Sequence, residues 1–83
     1  MYKIEFLPVA ARQFRKLTRD VQRQLDSSIQ SLAINPRPSG CKKLSGIDGW
    51  RVRSGNFRIV YQIKDNTLIV LILAVGDRKD VYR

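Results

Sequence analysis

WRVRSGNFRIVYQIKDNTLIVLILAVGDRKDVY, residues Trp50 to Tyr82, reads as two β-hairpins in succession, and its pairing follows from its turns. A two-residue Gly-Asn or Asp-Asn connection sets hairpin register. With Gly55 and Asn56 at the first turn, Ser54 faces Phe57 and Arg53 faces Arg58. Side chains alternate along a strand, so Arg51, Arg53 and Arg58 fall on one face and Trp50, Val52, Ile59 and Tyr61 on the other. Like charges placed directly opposite each other destabilise a sheet. The arginine face is therefore read as a surface that receives something anionic, while Trp50 and Tyr61 are read as core or core-edge residues. A one-residue slip would send Arg58 to the opposite face.

Working outward, Asp65 and Asn66 make the second turn and Thr67 to Val75 the last long strand. TLIVLILAV is apolar on both faces, as expected of an interior strand covered on each side. Gly76 ends it and leaves the polar tail Asp77 to Arg83. Upstream, Tyr2 to Leu7 alternates as a short strand with Ile4 and Phe6 inward. Pro8 suits the first turn of a helix over Pro8 to Leu17, with Ala10, Phe14 and Leu17 apolar. Thr18 is the N-cap and Asp20 a first-turn acid of a second helix, whose stripe is Val21, Leu25, Ile29 and Leu32. Asn35 and Pro36 stop it. Pro36 to Gly49 holds two prolines and three glycines and reads as a structured loop anchored by Leu44 and Ile47. The order β-α-α-β-β-β predicts an α+β domain, two N-terminal helices packed on a small, mainly antiparallel sheet.

The chain has 83 residues, 43% hydrophobic and 28% charged, which fits one folded domain over residues 1–83 with a single modest core. Lys and Arg number 16 against 7 Asp and Glu, a net charge of +9, which favours a polyanionic partner. Nucleic acid ranks first, an acidic protein second and a membrane surface last. Cys41 is the lone cysteine, so no internal disulfide forms and a reducing compartment is expected. There is no histidine, which removes Ser/His/Asp and Cys/His nucleophiles and His-ligated zinc. No cofactor or metal is expected. The apolar run Leu68 to Val75 is too short to span a bilayer and no signal peptide is visible, so a soluble cytoplasmic protein is expected.

These residues make the chain resemble the RelE/ParE superfamily of type II toxins, and within it the RelE-like mRNA interferases. The likeness covers nearly the full length. It rests on the opening strand and basic helical hairpin, K-L-S-G at Lys43 to Gly46, W-R-V-R at Trp50 to Arg53, F-R-I-V-Y at Phe57 to Tyr61 and V-G-D-R-K-D-V-Y at Val75 to Tyr82. No single piece is decisive, since a W-x-V or an R-I-V-Y alone is common strand sequence; five in order with matching spacing are much more specific. The resemblance implies a RelE-like fold and a ribosome-dependent endoribonuclease that enters the ribosomal A site and cuts the mRNA codon. It also implies a cognate RelB-like antitoxin that wraps the toxin in a heteromeric complex. The family's functional cluster falls on Arg51, Arg53, Arg58, Arg78 and Tyr82, three of which alternation had already grouped.

A metal-independent ribonuclease needs a group to take the 2′ proton, cations for the crowded phosphorane and an acid for the leaving 5′-oxygen. Arginine matches phosphate oxygens and stays cationic, but with a pKa above about 12 it is a poor base. Tyr82 is the cluster's one titratable hydroxyl, suited to proton transfer, to stacking on a base, or to both. The best-known members have lysines where this chain has Arg51 and Arg53, so no general base is assigned there. Many relatives also carry histidine where this chain has Asp77. Arg12, Arg15, Lys16, Arg19 and Arg23 on the helices, with Lys42 and Lys43 in the loop, suit RNA phosphates without sequence readout; the helical set equally suits a plain solvated face. Two rival readings remain: a ParE-like DNA gyrase inhibitor without nuclease activity, and a catalytically weakened RNA- or ribosome-binding homologue.

Overall fold

The computed structural model describes residues 1–77. Its elements run β1 (Lys3–Phe6), α1 (Pro8–Arg15), α2 (Arg19–Ile34), β2 (Lys42–Lys43), β3 (Trp50–Ser54), β4 (Phe57–Lys64) and β5 (Ile69–Asp77). The strands form one sheet in the order β1-β5-β4-β3-β2. β1 runs parallel to β5 and every other pairing is antiparallel. Both helices pack on one face, giving the α+β architecture expected from the element order: Ala10 of α1 and Leu25, Ile29 and Leu32 of α2 close a core with Ile59, Tyr61, Val70, Ile72 and Val75. No helix among the described residues is long and apolar enough to cross a membrane.

Local chemistry explains the helices. Pro8 starts α1 with its fixed φ and missing N–H, where no intrahelical donor is needed. The Thr18 side chain caps α2 by accepting from the Val21 N–H at 3.3 Å. Between them, Gln22 Nε2 donates to the carbonyls of Phe14 at 2.9 Å and Leu17 at 3.2 Å. Those carbonyls belong to the end of α1 and the link beyond it, where helical partners run out.

The apolar run of β5 departs from the expectation. Helices cover one face only, so Val70 and Ile72 are buried while Ile69 and Leu71 are half-buried on the open face. The register then shifts: Tyr61 pairs with Ile72, but Val60 pairs with Ala74, leaving Leu73 as the extra residue of a bulge. That one-residue insertion changes the phase of alternation, which is how Val75 joins Ile72 in the core three positions later. The strand also passes through Gly76 rather than ending there, pairing Arg58 with Gly76 and Phe57 with Asp77.

Two other expectations are corrected. The second turn is a four-residue connection, Asp65 to Leu68, closed by the Lys64/Ile69 pair. Leu68 sits at φ 54, a left-handed conformation rare for leucine. Its carbonyl accepts the Lys3 N–H at 2.7 Å, a contact from β1 that no local pattern predicts. In the 36–49 loop, Ile47 is not an anchor but 54% exposed. The loop is held by the two-residue strand β2, by Tyr61 O–H donating to the Pro36 carbonyl at 2.7 Å, and by Gln62 Nε2 donating to the Asp48 carbonyl at 2.8 Å.

Candidate functional site

The β3–β4 hairpin has the register derived from its Gly-Asn turn: Ser54 faces Phe57, Arg53 faces Arg58, Val52 faces Ile59, Arg51 faces Val60 and Trp50 faces Tyr61. Arg51, Arg53 and Arg58 therefore share the face away from the helices, and Lys42, directly opposite Arg51, joins them. Gly55 makes the turn at φ 63, the left-handed geometry such turns need. The three arginines differ in depth. Arg53 is exposed, whereas Arg51 and Arg58 retain only 9% and 8% of their exposure. Gly76, opposite Arg58, has no side chain to compete for that space.

Two clefts lie side by side on this surface and share Arg53. One, of about 320 Å³, is lined by Ser39, Gly40, Lys42, Arg51, Val52 and Arg53. The other, of about 160 Å³, is lined by Arg53, Gly55, Asn56, Phe57 and Arg58. Two nearby acids are committed elsewhere, Asp48 to Lys43 at 3.3 Å and Asp65 to Arg37 at 2.9 Å, while Asp77 stands opposite Phe57, next to Arg58. Arg51 Nε is shut off from solvent and has no hydrogen-bond partner among the described residues.

The hairpin tip is tied to α2 by contacts that sequence reading missed. Gln24 Nε2 donates to the Ser54 carbonyl at 2.8 Å, and Ser28 Oγ donates to Ser54 Oγ at 3.0 Å. A Cβ on Gly55 would meet only the movable end of the Gln24 side chain, 2.5 Å from Nε2, so it is the positive φ of the turn that calls for glycine. The loop that forms the other wall is clamped as well. Arg37 grips Asp65, Tyr2 O–H donates to the same carboxylate at 2.6 Å, and the Arg37 guanidinium lies 5.5 Å from the Trp50 ring centroid. Arg37 and Tyr2 hold the Asp65 carboxyl below its ordinary pKa. Arg37 was absent from the sequence-derived candidates because its partner lies 28 residues away.

Tyr61 is excluded as a proton carrier. Burial, reinforced by Cys41, pushes its hydroxyl well above the ordinary tyrosine range, and it lies on the helix side of the sheet. Lys43 separates from Lys42: it pairs with Trp50 on the helix side, 5.6 Å from the ring centroid. Arg12, Arg15, Lys16, Arg19 and Arg23 are exposed on or beside the helices, in the layer across the sheet from the arginine face. Arg19 and Arg23 line a separate cleft of about 440 Å³ with Phe14, Gln22 and Asp26. The structure thus divides the basic candidates between two sides of the molecule. Arg78 and Tyr82 lie outside the described residues. No group of three or more His, Cys, Asp and Glu able to hold a metal occurs among the described residues.

Comparison with known proteins places this geometry. Residues 4–82 match the family model described as ParE toxin of the type II toxin-antitoxin system parDE. A protein of Escherichia coli described as RelE-like is 37% identical, over 98% of this chain and 90% of its own length. The mRNA interferase toxin RelE of Escherichia coli K12 is 31% identical with the same coverage. Among solved structures, the toxin of the intact Escherichia coli RelBE toxin-antitoxin complex superposes with a TM-score of 0.81 at 31% identity, covering 93% of this chain and 96% of that one. The toxin-antitoxin complex RelBE2 of Mycobacterium tuberculosis gives 0.82 at 26% identity, covering 93% and 98%. The chain belongs to the RelE/ParE superfamily of type II toxin-antitoxin toxins, on its RelE-like side.

Proposed function

We propose that this toxin is a ribosome-dependent mRNA endonuclease that cuts the codon in the A site and so stops translation. The observation that carries the reading is the facing pair Arg53 and Arg58, with Arg51 on the same side of the sheet. Guanidiniums gathered on one face make that face complementary to an anion. A phosphodiester supplies that anion, and its developing phosphorane charge is what such donors stabilise. In the proposed step the RNA 2′-oxygen attacks the adjacent phosphorus and the bond to the 5′-oxygen breaks. The products are a 2′,3′-cyclic phosphate and a 5′-OH, the 2′ proton leaving to a base and another reaching the 5′-oxygen. The nucleophile is the RNA's own hydroxyl, so the scheme calls on no metal.

Arg53, Arg58 and Arg78 hold and neutralise the scissile phosphate, Arg51 adds its charge from beside them, and Tyr82 stands at the proton or base-stacking position. With arginine at 51 and 53, positioning and charge stabilisation carry most of the rate, the ribosome aligning the 2′-OH. Lys42 extends the phosphate track on the same face. The helical cations Arg12, Arg15, Lys16 and Arg19 contact ribosomal RNA phosphates from the other side. A RelB-like antitoxin neutralises the toxin in a heteromeric complex, as the relatives solved with antitoxin suggest. Purified protein cuts mRNA on programmed ribosomes and leaves naked RNA largely intact; intact message across correctly folded preparations overturns the reading.

The family model's ParE description favours one alternative, a DNA gyrase inhibitor that works by binding alone. A supercoiling assay separates the two: inhibition at stoichiometric toxin with the message uncut selects the gyrase reading.

A further inference from the structure

The cleft beside the 39–42 loop is larger than the one at Arg53 and Arg58 and has its own cations. Its outer wall is a tight turn: the Cys41 N–H donates to the Pro38 carbonyl at 3.1 Å and Gly40 takes φ 89, the positive φ that a type II turn requires at its third residue. A Cβ on Gly40 would meet nothing within 4 Å, so the glycine is there for the backbone conformation rather than for space. The inner wall is Arg51, 9% exposed, with a solvent-excluded Nε that has no partner among the described residues. None of the ion pairs among the described residues engages Lys42, Arg51 or Arg53. A guanidinium at that depth needs a charged acceptor to offset its lost hydration, and the described residues supply none.

We propose that the cleft formed by Ser39, Gly40, Lys42, Arg51 and Arg53 is a second phosphate subsite, holding the backbone phosphate next to the one gripped by Arg53 and Arg58. Arg53, common to both clefts, sits between consecutive phosphates of one strand. The minimal recognised unit is then a nucleotide step with two phosphates. The proposal rests on the ribonuclease reading for its ligand, but it makes a claim about binding that does not require turnover.

The test uses 2′-deoxy dinucleotides, which lack the attacking hydroxyl: one with only its internal phosphate, one carrying an added 5′-phosphate and one an added 3′-phosphate. Titrated into isotope-labelled protein, one of the two doubly phosphorylated ligands binds about tenfold tighter than the singly phosphorylated one, the scale of one charge-assisted hydrogen bond. The Arg51 Nε–H and Gly40 amide resonances shift with that ligand only. Lys42→Gln, an exposed edge-strand change, reduces the gain to less than about threefold on the same scale. Equal affinity for all three ligands, or an unmoved Arg51 Nε–H, overturns the subsite whatever the variant does. A second-phosphate preference in a protein that leaves message uncut on ribosomes upholds the subsite and rejects the nuclease reading instead.

Discussion

On its helix side the β3–β4 hairpin presents Trp50, Val52, Phe57, Ile59 and Tyr61 to the core; on the other it sets Arg51, Arg53 and Arg58 around Val60. The backbone is the same and only the parity of the position differs. The apolar side is closed by α2 and its polar atoms are paired, as with Tyr61 O–H on the Pro36 carbonyl. The arginine side brings like charges together and leaves Arg51 Nε without a partner among the described residues. One face therefore supplies stability and the other spends some of it on a surface complementary to an anion. Substitutions on the two faces are expected to act on different observables.

The largest effect falls on the core side. Ile59→Ala removes a fully buried side chain and lowers unfolding free energy by about 2–5 kcal/mol, read by denaturant titration. On the arginine side, Arg53→Ala lowers the rate of message cleavage on ribosomes by about 10²–10³-fold. The same variant unfolds no more easily than wild type, because the Arg53 side chain is exposed. A loss of stability in Arg53→Ala would break the comparison between the faces. Tyr61→Phe keeps the ring but strands the Pro36 carbonyl, at a cost of about 1–3 kcal/mol, and amide exchange in the 36–49 loop accelerates.

The smallest effect sharpens the role of the loop clamp. The Asp65 carboxyl is held below its ordinary value by Arg37 and Tyr2. Its contribution to stability is thus fully present above the unfolded value of about 3.9 and is lost as pH falls through the lower folded value. Asp65→Asn lowers the melting temperature slightly at neutral pH, and the difference from wild type closes in strong acid. A gap that persists at low pH would mean that the clamp acts through shape rather than charge.

The first hairpin and the last strand show where sequence reading succeeds and where it stops. Gly55-Asn56 is a short local turn, so the Arg53/Arg58 pair could be written down from residue spacing. The second turn has an equally suggestive Asp-Asn, yet Asp65 is held by Arg37 and Tyr2 while Leu68 is drawn into a left-handed conformation with its carbonyl on Lys3. Contacts from β1 and the 36–49 loop override the local signal, shifting β5 two residues along the chain. The bulge at Leu73 was hidden for a similar reason: a continuous apolar run carries no mark of where its phase changes. Its position is tied to Gln13 of α1, whose Oε1 accepts the Val75 N–H at 3.0 Å on the stretch of β5 that lies beyond the end of β1.

What the amino-acid order determined by itself is which side chains share a face, since alternation and a two-residue turn are local and need no other segment. It did not determine depth. That Arg51 and Arg58 are buried while Arg53 is exposed, that Lys42 joins them while Lys43 turns to Trp50, and that Ser39 and Gly40 wall the neighbouring cleft were decided by β2 docking on β3 and by the Gln24–Ser54 and Arg37–Asp65 ties. Such ties join residues about thirty positions apart, and their formation depends on the packed core rather than on any pattern along the chain.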